Sequence, residues 1–243
     1  MATETQTQYG IDRPPVKVWV PHREGILTSV HPASGPGTYQ AVFQDVKDRD
    51  LRAPTASESA SQVYGAYFGP EDLYNQPEFE NVRGIVRNNW LWIPSQKLWT
   101  SKGMYSKHDS EGNGNSEELS IEMLEDLLSG GSTLDRKVRV SADGLVGFAP
   151  KSSYDLGEQA NKGEFARSGA LIAEYGKDAA RLIAEVGFSD HFRSKPWIYG
   201  LDIKEGQDPE QRVSALDGCN GDRLGVVGVF DGGRVGRAFG VLN

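Results

Sequence analysis

The sequence predicts an α+β protein: mixed or mainly antiparallel sheet(s), about four to five interspersed helices, and a β-rich C-terminus. Three observations lead there. Runs rich in β-branched and aromatic residues occupy both ends of the chain. Between them, apolar residues recur at helical spacing. Helices and strands alternate without the regular βαβ rhythm that a doubly wound parallel sheet requires.

Taken in order, residues 1–15 are polar, end in Pro14-Pro15, and read as a disordered or extended arm. Val16 to Val20, Gly25 to His31 and Thr38 to Val46 read as strands, because each is dense in β-branched and aromatic side chains. The segment His31 to Gly37 is a turn or loop by its proline, serine and glycine content. Thr55 and Glu58 have the spacing of a capping box after Pro54, and Val63, Ala66 and Tyr67 continue a helix. A further helix covers Pro77 to Asn88, with Phe79, Val82 and Val86 as its buried stripe.

Trp90 to Ile93 reads as a strand and Pro94-Ser95 as a turn. Lys97 to Tyr105 is then a return strand interrupted near Gly103. A helix follows from about Glu117 to Leu128, with Ile121, Leu124 and Leu128 on one face and Ser116 as its cap. Ala142-Asp-Gly144 between Lys137–Ser141 and Leu145–Ala149 is a hairpin signal. Ala170 to Tyr175 is a short buried strand or a helix start. Lys177 to Val186 has Ala179, Leu182, Ile183 and Val186 at i, i+3, i+4 and i+7, the pattern of an amphipathic helix. Trp197 to Ile203, Arg212 to Leu216, Leu224 to Phe230 and Arg237 to Leu242 are strands, the last two joined by an Asp231-Gly-Gly233 turn.

Residues 16–243 are read as a single globular domain, with any subdivision near 108–116 or 150–165. The 243-residue length allows either one large domain or two small ones. A net charge of −8 disfavours broad, non-specific binding to nucleic acid or anionic membrane. One cysteine, Cys219, excludes an internal disulfide and a CxxC redox pair. No apolar run approaches the roughly 20 residues that span a bilayer, and residues 1–10 lack a signal pattern. The expectation is a cytoplasmic protein with no membrane partner.

One block stands out. From Arg83 to Lys107 the charged residues are Arg83, Arg87, Lys97, Lys102 and Lys107, with no acid among them. Three of the five tryptophans, Trp90, Trp92 and Trp99, fall in it with Tyr105. Aromatic faces interleaved with cations are what a groove for single-stranded nucleic acid uses, since bases stack and phosphates pair. Flat or sugar-like small molecules and protein partners can use such a platform too. The competing structural reading is burial, because alternate residues of a strand face a core.

The loop after the block carries the enzymatic alternative. His108, Asp109 and Glu111 lie close together, which suggests a metal-assisted hydrolase. Asp109, Glu111, Asn113 and Gly114 echo the first half of a calcium loop, yet the twelfth position is Ser120 rather than a bidentate glutamate. The four histidines, His22, His31, His108 and His191, lack the spacing that places two on one metal. There is no GxSxG elbow and no GxxxxGK[ST] loop. Cys219 sits in a turn. Arg212, Arg223, Arg234 and Arg237 with Asp202 and Glu205 read as cross-strand charge pairing. Three functions therefore stand: a ligand- or nucleic-acid-binding protein using the block, a metal-assisted hydrolase using the loop, and a structural or protein-interaction domain.

Overall fold

The computed structural model describes residues 9–12, 16–229 and 235–242. Its organising element is a single 13-stranded sheet. The strands are β1 (Gly10–Asp12), β2 (Val16–His22), β3 (Gly25–Gly37), β4 (Trp90–Thr100), β5 (Gly103–His108), β6 (Ser132–Thr133), β7 (Arg139–Val140), β8 (Val146–Pro150), β9 (Gly157–Glu158), β10 (Trp197–Tyr199), β11 (Glu210–Asp217), β12 (Gly225–Val229) and β13 (Gly236–Val241). The helices are α1 (Tyr39–Asp48), α2 (Ala56–Phe68), α3 (Glu71–Tyr74), α4 (Pro77–Asn88), α5 (Ile121–Leu128), α6 (Lys162–Ala166), α7 (Gly169–Tyr175) and α8 (Lys177–Gly187).

The main path runs β1-β2-β3-β13-β4-β11-β12-β10-β9, and β5, β8, β7 and β6 form a branch from β4. Pairing is antiparallel except at β10–β12 and β13–β4. Strand β4 is the fork. Its start lies beside β13, its end pairs with β5, and its other edge pairs with β11 along its length. The two loops considered as boundaries join elements of this one sheet.

The alternation of β4 sorts the core. Leu91, Ile93 and Trp99 face a large cluster built with α2, α4, α7 and α8. Trp92 faces the opposite side, under Tyr39, Val42, Phe43 and Val46 of α1. Leu98 shares that side with Tyr105, Phe148 and Val146, covered by Leu124 and Leu128 of α5. The sheet is therefore sandwiched between two helical layers, and strands buried on both faces carry few exposed side chains.

Several expectations are corrected. There are eight α-helices among the described residues, not four to five, and the molecule is centred on its sheet. Thr38 to Val46 is not a strand. Thr38 accepts a hydrogen bond from the Ala41 amide as an N-cap, and Tyr39, Val42, Phe43 and Val46 form a helical stripe. His31 to Gly37 is not a loop, because it continues β3 between its neighbours. Register shifts against β13 accommodate the two prolines, which cannot donate to a ladder. Pro94-Ser95 is not a turn either. β4 continues through it with a bulge: Gln96 pairs with Val213 and Ile93 with Ser214, so Pro94 and Ser95 have no partner in β11, and the chain reverses at Ser101-Lys102. The helix read from Glu117 begins at Ile121, capped by Ser120 rather than Ser116. Ala170 to Tyr175 is helical. Within the expected N-terminal arm, Gly10–Asp12 pairs with β2, while residues 1–8 and 13–15 lie outside the described residues. The Asp231-Gly-Gly233 turn also lies outside them.

Candidate functional site

The basic aromatic block is a scaffold rather than an open surface. Trp92 and Trp99 are each 1% exposed. The Trp92 indole donates to the Gly37 carbonyl at 3.2 Å, and Trp90 packs edge-on against it. Trp99 lies against Tyr154. Arg83 is buried, stacked on Tyr74, and donates to the Ala66 and Tyr74 carbonyls. Tyr105 donates to Glu125, and Lys107 pairs with Glu117. Lys102 is exposed on the reverse between β4 and β5, and Arg87 stands apart at the end of α4. These eight residues, and Lys97 in its buried pair with Glu174, are thus dispersed over both faces and several edges of the sheet.

The hydrolase trio is dispersed too. Asp109 is buried and accepts from the Asn113 and Gly114 amides, which makes it the organiser of its own loop. Glu111 is exposed and pairs with Lys47. Among the described residues, no group of three or more His, Cys, Asp or Glu side chains is placed to hold a metal ion. His108 alone of the trio reaches a cavity.

That cavity has a volume of about 300 Å³ and a polar floor. Its floor is the helix-facing side of β4 and β5. Ile93, Ser95, Lys97 and Trp99 alternate onto this side, and Ser106 and His108 lie opposite Lys97 and Ser95. The α2 N-terminus, Thr55 to Glu58, makes one wall, and Ile172 to Gly176, where α7 turns into α8, makes another. His22 and Arg23 stand at the rim with Asp143, Gly144 and Leu145. A second recess of about 660 Å³ shares His22, Arg23, Ser57, Tyr175 and Gly176, and extends the cleft along Lys177, Asp178 and Leu182.

Local sequence explains each wall. Thr55 and Glu58 form a reciprocal capping box, and Arg52 holds the Glu58 carboxylate by both oxygens. Gly176 has φ +78° and ψ 163°, a region essentially restricted to glycine, so the abrupt corner requires it. The α8 N-terminus behind it has no side-chain cap. Arg23 also sits at positive φ, 52°, in the two-residue reverse between β2 and β3, where glycine is preferred.

The floor holds a buried polar column. Lys97 and Glu174 are 3% and 0% exposed, with Nζ 2.9 Å from Oε2. The contact is ionic rather than a well-aligned hydrogen bond, since Oε2 lacks a bond of good geometry. Ser214 of β11 donates to the other carboxylate oxygen. Beside this pair, Ser95 and Ser106 are 2% and 3% exposed, and neither hydroxyl has a hydrogen-bond partner among the described residues. Both line the cavity. Neither oxygen is sealed from the cavity, so an occupant of the cavity can reach both.

Two histidines complete the lining in defined tautomers. His108 Nδ1 lies 2.9 Å from the Pro94 carbonyl, which can only accept, so Nδ1 carries the hydrogen and Nε2 remains an acceptor. His22 Nδ1 lies 2.9 Å from Ser61 Oγ, whose own hydrogen goes to the Ser57 carbonyl, giving the same tautomer. Burial lowers the pKa of both; Arg23 and Arg52 add to this at His22, while Asp109 and the Pro94 bond oppose it at His108. At neutral pH both imidazoles are therefore uncharged, and they line the cavity with the hydroxyls of Thr55, Ser57, Ser95, Ser106 and Tyr175, beside Arg23 and the acids Glu58, Asp143 and Glu174.

Of these residues the sequence reading singled out His108 and, as a cation of the basic block, Lys97, but not Ser95, Ser106 or Glu174. A signal for Ser95 existed: it falls with Lys97 on the same strand face as Ile93 and Trp99. Polar residues at core-facing positions of an apolar strand mark either a network or a site. Glu174 and Gly176 gave no such signal, because their convergence on the floor depends on how α7 docks.

No family model matches this chain, and neither does any curated protein. One solved structure, described as showing accommodation of massive sequence variation in Nanoarchaeota by the C-type lectin fold, is similar over 87% of this chain and 98% of that one. The identity is 13% and the TM-score 0.48. No described helix is long and apolar enough to cross a membrane.

Proposed function

We propose that this chain is a binding protein for a small, neutral polyhydroxyl compound, sugar- or nucleoside-like, held in the cleft between the β2–β3 reverse, the α2 N-terminus and the α7–α8 corner. The observation that carries the reading is the pair of cavity-lining hydroxyls, Ser95 and Ser106, that have no hydrogen-bond partner among the described residues. A ligand hydroxyl would complete both bonds, and the two histidine Nε2 acceptors supply complementary positions. The acids of the lining are committed elsewhere: Glu58 to Arg52, Glu174 to Lys97 and Ser214, and Asp143 to Ser141 and the Leu145 amide. A neutral ligand therefore meets no uncompensated charge at the floor. Leu134, Val140, Leu145 and Ile172 provide the apolar walls that small-molecule sites use.

The basic aromatic block enters this reading as the frame of the floor. Its two buried tryptophans are unavailable to stack on bases. A protein-detected NMR screen tests the proposal, with monosaccharides, polyols and nucleosides added at millimolar concentration while His108 and His22 are followed. A saturable shift of both that disappears in Ser95→Val/Ser106→Val is the expected result. A panel that leaves both rings unmoved, or a shift that survives the double substitution, would sink the reading.

A further inference from the structure

A separate cavity of about 370 Å³ opens at the C-terminal end of α4, lined by Arg87, Asp190, His191, Arg193, Gly221 and Asp222. We propose that it is a site for a small oxyanion, a phosphate or sulfate group, gripped by Arg87 and Arg193 beside His191.

Neither cation is neutralised by an acid. Among the described residues neither Arg87 nor Arg193 has a carboxylate within ion-pair distance, whereas Arg52, Arg139, Arg181, Arg212 and Arg223 each do. Arg87 Nε is buried without a hydrogen-bond partner among the described residues; its Nη2 lies 3.4 Å from the His191 ring, and the guanidinium sits over the Tyr67 ring and also acts on its hydroxyl. Its neighbour Arg83, one helical turn earlier, shows the contrast: both its terminal nitrogens are occupied by carbonyls. Of the two acids at the cavity, Asp222 accepts from Ser194 and lies against Arg223. Asp190 is the one acid without such a commitment, against two guanidinium groups. A planar guanidinium with free N–H groups matches the paired oxygens of a phosphate or sulfate.

His191 makes the site a reporter of its own occupancy. Its ring is enclosed by Tyr67, Phe68 and Tyr74. Burial, then Arg87 and Arg83, hold its pKa below the ordinary histidine value, while a bond with the Tyr67 backbone and the charge of Asp190 act in the opposite sense. An anion between the arginines offsets the repulsion, so the ring takes up a proton more readily. Binding then strengthens as pH falls through the His191 titration.

The experiment follows the four histidine side chains by proton–carbon NMR at low ionic strength, with His191 assigned by His191→Gln. Sulfate is the first probe, because its charge is constant over the pH range; inorganic phosphate and glycerol 3-phosphate follow. The expected result is a saturable shift at His191 alone and a raised titration midpoint. Arg193→Gln, at an exposed position, should fold normally and weaken binding roughly tenfold or more, as loss of a charge-assisted bond implies. Tighter binding of glycerol 3-phosphate than of phosphate identifies a group carried on an organic molecule, and equal binding identifies the free anion. The proposal is overturned if no saturable shift occurs by about 50 mM sulfate, where general screening already dominates. It also fails if all four histidines drift together, or if Arg193→Gln binds like the parent.

Discussion

Replacing Lys97 by methionine tests the central claim about the buried column. The side chain keeps its approximate volume, so no cavity is added, but Glu174 loses the one ionic partner it has among the described residues. At 2.9 Å and an effective dielectric of about 20, the attraction amounts to about 6 kcal/mol. Desolvation of two almost fully buried ions offsets most of that, so the pair's net contribution is small. Removing one partner is different, because the remaining charge stays buried with only the Ser214 hydroxyl to solvate it. The expected loss is about 3–5 kcal/mol. Lys97→Met/Glu174→Leu removes both charges and should restore stability to within about 1–2 kcal/mol of the parent. Urea unfolding, followed by far-UV circular dichroism and tryptophan fluorescence, measures all three. A single substitution costing under about 1 kcal/mol would mean that water already reaches Glu174, and the description of a dry column would fail. A double variant as unstable as the two singles summed would show that the charges are not coupled.

Acid should destabilise the protein partly through His31, whose pKa burial and Arg49 lower to about 4. Between the ordinary value near 6.5 and that value the unfolded chain binds a proton that the folded chain does not, so stability is complete above about pH 6.5 and falls toward pH 4, by up to about 3 kcal/mol. His31→Gln should flatten the fall in melting temperature over this range, and an unchanged profile would rule the residue out. Gly147→Ala places a Cβ 2.1 Å from the Ala173 carbonyl oxygen, so α7 must lift from β8, at a cost of about 1–3 kcal/mol or more. Gly84→Ala, in α4 with nothing within 4 Å, should instead stabilise by about 0.5–1 kcal/mol; equal effects of the two would contradict the packing described.

What the sequence made legible were elements whose pattern is local. The helix at Pro77–Asn88 and the amphipathic α8 carry their own spacing, and Ala142-Asp-Gly144 carries its own turn chemistry. The misreadings share a different cause. Tyr39, Val42, Phe43 and Val46 suit a strand by residue type and a helix by spacing; packing of that stripe on Trp92 and Ala238 settles it as a helix. His31 to Gly37 has a loop's composition, yet its backbone extends because β13 pairs with it at Ser34 and Gly37, beyond the reach of β2, which ends at His31. Neither neighbour is visible from the segment itself. The site was harder still, because Ser95, Ser106, His22 and Glu174 come from four elements and meet only through sheet register and the docking of α7.

The buried pair also bears on why a cleft exists there at all. A lysine and a glutamate in a core add little net stability, and an apolar pair could hold α7 to the sheet as well. What an apolar pair would not do is fix the rotation of α7 about its axis, since Glu174 must meet both Lys97 on β4 and Ser214 on β11. That rotation sets where Tyr175 and Gly176 stand, and so where the α7–α8 corner closes on Ser95 and Ser106. If positioning is the column's role, Lys97→Met/Glu174→Leu keeps its fold and loses affinity for the ligand of the cleft. If the column only fastens the helix, the same variant binds as the parent does. The two outcomes separate a device for orientation from a device for adhesion, using one protein and the His108 resonance as the readout.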